Sequence, residues 1–276
     1  MAKIKNPPEI LYYHGQWEAS IFQHCLAVVG TRKMTDYGEE MVERLVGPVA
    51  RAGVTIISGF MYGVDAATHQ AALNVGGRTI AVLGCGIDLI RPAIHRELHM
   101  KIIESNGLIV SELPGKHPPA RWTFVKRNRI VAGLSQASLI IEAGEQSGAL
   151  ITAQLTQDQG KPVLALPGPV TSGVSYGTSR LIKNGAQLVT TAKDILAVFK
   201  LSCPPGVLPT GGSKHSGNID LPQEEKEIYQ LLQDWRLSVD QLARQFQRPA
   251  AQMGTTLSLM VLKGLIKEDK QSRYYI

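Results

Sequence analysis

Residues 26–58 read LAVVGTRKMTDYGEEMVERLVGPVARAGVTIIS, and the spacing of their apolar positions decides the fold. LAVVG at 26–30 and VTIIS at 54–58 are short, β-branched and closed by Gly or Ser, the pattern of strands buried on both faces of a parallel sheet. Between them, Tyr37 to Ala52 puts Met41, Leu45 and Val49 on one face, as an amphipathic helix does. Strand, helix and strand at this pitch make a βαβ unit with a right-handed crossover. TIAVL at 79–83, LIVS at 108–111, SLIIEA at 138–143 and PVLALP at 162–167 repeat the strand signal, and Ala66 to Asn74 repeats the helical one. The expected fold class is α/β: a Rossmann-like, doubly wound, mostly parallel sheet over residues 26–200, entered through an N-terminal lead-in of residues 1–25.

Helical signal ends near Phe199. LSCPPGVLPTGGSKHSGNID follows, rich in Pro, Gly and Ser, and predicts a linker over 201–221. Beyond it, Glu224 to Trp235, Val239 to Phe246 and Ala250 to Lys263 predict three helices, and LIKEDKQSRYYI a two-stranded ending. Three short helices and a hairpin describe a small C-terminal winged-helix domain over 222–276. Its eight Lys or Arg against seven Asp or Glu leave it nearly neutral, as suited to a protein partner as to DNA.

A chain of 276 residues, 44% hydrophobic and 19% charged, has room for one α/β domain plus a smaller one, and excludes a disordered or fibrous protein. The formal net charge of +6 favours polyanionic partners. Cys25, Cys85 and Cys203 are widely spaced and form no CxxC pair, so neither a zinc site nor a disulfide framework is expected. The opening MAKIKNPPEILYYHG has no signal-peptide core, and no apolar run approaches the length that spans a bilayer. A reducing cytoplasm, with no membrane association, is the expected setting.

In a doubly wound sheet, ligands bind beyond the carboxyl ends of the strands, where loops and helix N-termini present free N–H groups. Those loops are glycine-rich here: Gly30-Thr31-Arg32-Lys33, Ser58-Gly59 leading to Gly63, Gly84-Cys85-Gly86, Ser147-Gly148 and Pro167-Gly168. Together they predict a phosphate-binding rim. The first loop, GTRKMTDYG, is not the GxGxxG of a dinucleotide enzyme, and no Walker A pattern is present. Between Glu112 and Glu142 lie Lys116, Arg121, Lys126, Arg127 and Arg129 without one acidic residue, and Trp122 and Phe124 interleave with them. Cations for backbone phosphates beside aromatic faces for unpaired bases are what single-stranded nucleic acid requires. Asp65 and His69, four apart, have a metal-chelating spacing but no third ligand, and are read as a helix-surface pair. His95 and His99 share that spacing and that lack. No G-x-S-x-G elbow or triad can be assembled, and Glu112 and Glu142 are read as loop organisers. Neither an enzyme nor a cofactor is expected.

These residues resemble the DNA-processing protein A family, also called DprA or Smf. The resemblance rests on Val29-Gly30-Thr31-Arg32-Lys33 with Tyr37-Gly38, Ser58-Gly59 with Gly63-Val64-Asp65-Ala66-Ala67 and His69, and Gly84-Cys85-Gly86-Ile87-Asp88. It extends through Ser111-Glu112, through Arg127-Asn128-Arg129-Ile130-Val131-Ala132-Gly133-Leu134-Ser135, and through Ser147-Gly148-Ala149-Leu150-Ile151-Thr152-Ala153. It implies a non-catalytic homodimer that holds incoming single-stranded DNA in natural transformation and loads the RecA recombinase. Arg32, Lys33, Lys126, Arg127 and Arg129 then inherit phosphate contacts, and Phe124 a base-stacking role. The DNA-binding set expected is Gly30, Thr31, Arg32, Lys33, Ser58, Gly59, Phe124, Lys126, Arg127, Asn128, Arg129, Ser147 and Gly148. Tyr62 departs from the family pattern, where a basic residue is common, as do Arg91 and Ser179 in their loops. The rival reading is a nucleotide-binding enzyme or sensor related to the phosphoribohydrolases, but Gly144-Glu145-Gln146-Ser147-Gly148 lacks their PGGxGTxxE. A third makes the winged helix a duplex-DNA regulator with the sheet as its sensor.

Overall fold

The computed structural model describes residues 4–202, 222–234, 237–269 and 272–275, which fall into two compact units, 1–207 and 208–276. Most of the expected linker therefore lies outside the described residues.

The first unit is built on an eight-stranded sheet. Its strands are β1 (Tyr12–Gly15), β2 (Cys25–Val29), β3 (Thr55–Ser58), β4 (Thr79–Val82), β5 (Leu108–Ser111), β6 (Ala137–Ile140), β7 (Val163–Ala165) and β8 (Gln187–Leu188), in the order β1-β5-β4-β3-β2-β6-β7-β8. All pairs are parallel except β1 with β5, so the sheet is mostly parallel, as its uninterrupted apolar runs predict. One expectation needs correction: residues 12–15, placed in a lead-in ahead of the sheet, are its antiparallel edge strand, with Tyr12 opposite Ser111.

The helices are α1 (Asp36–Arg51), α2 (Val64–Leu73), α3 (Arg96–Glu104), α4 (Arg121–Leu134), α5 (Gly148–Asp158), α6 (Tyr176–Lys183) and α7 (Ala192–Val198). Side chains alternate across each strand, so β2 feeds two cores. Leu26 and Val28 pack with Val42, Leu45 and Val49 of α1. Ala27 and Val29 pack on the other face with Ile130 and Val131 of α4 and Ala149 and Ala153 of α5. Because α1 and α4–α5 lie on opposite faces, the chain leaves the neighbouring strands β2 and β6 in opposite directions. A crevice opens between their carboxyl ends, the switch point of an open α/β sheet.

The second unit comprises α8 (Gln223–Asp234), β9 (Leu237–Ser238), α9 (Val239–Gln245), α10 (Ala250–Leu262), β10 (Lys267–Glu268) and β11 (Arg273–Tyr275). The expected hairpin β10–β11 gains β9 as a third antiparallel strand. Ile228, Leu232, Leu242, Met253, Leu257, Met260, Ile266 and Tyr274 form its own core. A reciprocal cap starts α9: Ser238 Oγ accepts from the Gln241 N–H at 3.3 Å, and Gln241 accepts from the Ser238 N–H at 2.8 Å, satisfying two N–H groups the helix leaves over. Among the described residues, no helix is long and apolar enough to cross a membrane.

Candidate nucleic-acid interface

The crevice at the β2–β6 switch point is a cleft of about 610 Å³, lined by Gly30, Thr31 and Arg32 after β2, Gly59 and Met61 after β3, Arg121, Phe124, Arg127 and Asn128 of α4, and Ser147 and Gly148 at the start of α5. Nine of the thirteen expected residues thus converge: Gly30, Thr31, Arg32, Gly59, Phe124, Arg127, Asn128, Ser147 and Gly148.

Glu142, buried just past β6, braces the first loop. Its backbone oxygen accepts from the Thr31 N–H at 2.8 Å, and its carboxylate accepts from the Thr35 N–H at 3.0 Å and the Thr35 hydroxyl at 2.5 Å. Thr35 in turn caps α1, accepting from the Gly38 N–H at 3.1 Å. A Cβ on Gly38 would lie 2.5 Å from Glu142 Oε2, so only glycine lets helix and carboxylate approach this closely.

Held on that loop, Arg32 places its guanidinium 5.4 Å from the Phe124 ring centroid. It is exposed and has no carboxylate ion partner among the described residues. The ring's position is fixed by Gly84, whose Cβ would lie 2.5 Å from Phe124 Cδ1. Backbone, ring and guanidinium are therefore layered, a cation–π arrangement with the charge on the cleft. Ser147 accepts from the Ala149 N–H at 3.3 Å as the cap of α5, and Asn128 Nδ2 donates to the Gly148 oxygen at 3.4 Å. The first turn of α5, with N–H groups that no intrahelical oxygen can reach, borders the cleft as an anion-attracting pole.

Four expected residues are not in the cleft. Ser58 is fully buried and donates to the Val28 oxygen at 2.6 Å. Lys33 is exposed beside it. Lys126 lies 3.3 Å from Glu112, and Arg129, buried, pairs with the same carboxylate. Arg127 does line the cleft, but it is not the exposed phosphate contact expected. Only 7% exposed, it donates to the Val82 oxygen and, through Nε, to Asn128 Oδ1 at 3.2 Å, with its charge set against Asp65. The physical reason is the helix: α4 turns Arg121, Phe124, Val125 and Asn128 to the cleft at i, i+3, i+4 and i+7, and carries Arg127 and Arg129 inward.

Asp65 and His69 are likewise buried, which corrects their reading as a helix-surface pair. Burial pushes the Asp65 carboxyl up from its ordinary value, and Arg127 pulls it back. Burial also brings the His69 imidazole down to about 4. The ring donates from Nε2 to the Gly59 oxygen at 2.9 Å, and its Nδ1 lies 2.6 Å from the Thr79 hydroxyl oxygen. Among the described residues no three His, Cys, Asp or Glu side chains group to hold a metal. The Gly84-Cys85-Gly86 turn is filled rather than open: Phe124 covers Gly84, and a Cβ on Gly86 would meet the Gly115 oxygen at 2.2 Å. Gly168, under Ser175, is also outside the cleft. Met61, Val125 and Gln146 line it without having been singled out. Val125 was legible from its spacing with Arg121 and Asn128.

Residues 1–200 match the family model for DNA recombination-mediator protein A. The chain is 38% identical over 261 residues to Protein Smf of Escherichia coli, covering 94% of this chain and 69% of the relative. The curated relatives it matches are longer, the matched part being as little as half of their length. Among solved structures, DNA processing protein A of Streptococcus pneumoniae is similar with a TM-score of 0.66 at 35% identity, over 71% of this chain and 68% of that one. DNA processing protein A of Helicobacter pylori, described for its single-stranded DNA binding mode, gives 0.65 at 31% identity over 72% and 90%. By this match and these likenesses, the chain belongs to the DNA recombination-mediator protein A family.

Proposed function

We propose that this chain binds single-stranded DNA in the β2–β6 cleft, without catalysis and without sequence preference. The observation that carries this reading is the layer of Arg32 on Phe124, a guanidinium stacked on an aromatic ring beside the pole of α5. A strand can lay phosphates along Arg32, Arg121 and the α5 N-terminus and a base against the guanidinium–ring layer, which needs no base-specific donor. Of the carboxylates, only Asp65 lines the cleft among the described residues, and its burial beside Arg127 suits a structural role better than acid–base work. The likeness to the Helicobacter pylori protein supports the same ligand.

The finer parts of the reading are that the protein works as a cytoplasmic homodimer in natural transformation and recombination, and that it hands its strand to the RecA recombinase. We further propose that the second unit is a winged helix. Its α10 has no charged residue, which suits a protein partner better than a duplex backbone.

The test is fluorescence anisotropy of a labelled strand of about 30 nucleotides, long enough to overfill one site, with duplex and mononucleotide competitors over a salt series. Expected is tight binding that duplex does not displace, with log K falling linearly against log salt as counterions are released. No binding at low salt, or displacement by mononucleotide, would sink the reading and favour the nucleotide-binding rival.

A further inference from the structure

Beside the cleft, on the side of β4, the loop after β3 sends Phe60 inward and Tyr62 outward: Phe60 is 2% exposed and Tyr62 50%. Tyr62 is not loose. Its ring meets that of His95 edge-on with centroids 5.5 Å apart, and His95 meets Phe60 edge-on at 5.4 Å. Phe60 is held in turn by His69 and His99, each at 6.1 Å. A half-exposed phenol therefore stands against a chain of edge-on rings that runs through the partly buried His95 to the buried Phe60, so little side-chain freedom remains to be lost when something lies against it.

The same loop is pressed onto the cleft. Gly63, with φ of 72°, would place a Cβ 2.4 Å from the Thr31 oxygen and 2.8 Å from the Arg32 carbonyl carbon, and the Val64 N–H donates to the Thr31 oxygen at 3.2 Å. Tyr62 thus lies one residue from the backbone that carries Arg32, and its other neighbour, Met61, lines the cleft. His95, against the ring, belongs to the segment between β4 and α3, which also carries Ile94, 78% exposed, and the exposed Arg91, which has no ion partner among the described residues. An exposed aromatic ring, on a loop joined to a cleft already suited to a strand and with an apolar side chain and a cation on the segment that braces it, matches an unpaired nucleotide.

We infer that Tyr62 is a second stacking platform, which takes a base of the same DNA strand as it leaves the cleft toward β4. This rests on the cleft being the strand's site. Stacking on Tyr62 adds affinity but releases no counterion, since the phenol is neutral.

The experiment titrates labelled oligothymidylates of about 4 and about 30 nucleotides, the low end of single-strand site sizes and a length well beyond one site, into the full chain and its Tyr62→Ala and Tyr62→Phe variants. Tyr62→Ala is expected to bind the long strand about tenfold more weakly at every salt concentration. Its salt slope, its binding of the short strand and its melting temperature should match wild type, and Tyr62→Phe should keep full affinity. Wild-type-like binding of the long strand by Tyr62→Ala overturns the platform, as does an equal loss on both strands or a shallower salt slope. A wild-type chain that binds neither strand overturns the cleft itself, a result distinct from tight wild-type binding with a silent Tyr62→Ala.

Discussion

Replacing Arg127 by Met separates a structural arginine from a DNA-contacting one. The side chain is buried, bonded to the Val82 oxygen and to Asn128 Oδ1, with Asp65, also buried, as its counter-charge. Gly59 shows how tightly the pair is enclosed: a Cβ there would lie 2.1 Å from Asp65 Oδ2 and 2.7 Å from Arg127 Nη2. Removing one of two neighbouring buried charges leaves the other uncompensated, which costs about 3–5 kcal/mol. In a unit of this size 1 kcal/mol shifts the melting temperature by about 2–4 °C, so Arg127→Met should lower it by roughly 6–20 °C. Adding Asp65→Asn should recover part of that loss. The pH dependence has a definite sign. Without its cation, Asp65 has a folded pKa pushed further above the unfolded value, and such a group contributes stability at low pH that is lost as pH rises. The deficit relative to wild type should therefore shrink toward acid and grow toward neutrality. Scanning calorimetry across pH reads all three effects. A single variant melting within about 2 °C of wild type, with strand affinity lost, would refute the structural role and make Arg127 a phosphate contact.

His69, held neutral with its pKa near 4, predicts acid lability. The unfolded chain takes up the proton first, so the stability present above about pH 6.5 is lost as pH falls toward 4, to a total of about 3 kcal/mol. Melting curves over that range should show this loss, and His69→Asn should flatten it. Glu142→Gln removes the carboxylate that holds the Thr35 N–H and hydroxyl. It should cost about 1–3 kcal/mol and loosen the Arg32 loop, seen as weaker strand binding in anisotropy. Gly84→Ala drives a Cβ into Phe124. It should cost about 1–3 kcal/mol by overpacking, and displacement of the ring should be read as lost affinity for single strand.

The β2-α1-β3 core was readable because its apolar positions follow one pattern at a time, continuous in the strands, which are buried on both faces, and of period 3.6 in α1. Helix α4 was not, although its cations drew attention to it. Its inward face includes Arg127 and Arg129, which score as polar and break the apolar stripe that marks a helix, and only the carboxylates of Asp65 and Glu112, distant in sequence, make their burial tolerable. Strand β1 escaped for a related reason. Tyr12 to Gly15 is four residues long, half exposed, and paired with a strand nearly a hundred residues away, so nothing local marks it. At the site, the glycine loops predicted the rim but not which loops stay open. Gly148 is open, while Gly30, although it lines the cleft, is small because Val64 lies against it, and Gly84 and Gly86 are small because a ring and a backbone lie against them.

The edge strand also sets where the chain can be shortened. β5 is buried along its whole length, Leu108 to Ser111, because Tyr12 to Gly15 occupies its outer hydrogen-bonding row. A fragment begun at Cys25, the natural choice for someone trimming to the parallel strands, would leave that row of N–H and C=O groups without partners on an apolar strand. Such a fragment is a template for sheet-to-sheet aggregation, whereas one begun before Ile10 keeps the row paired.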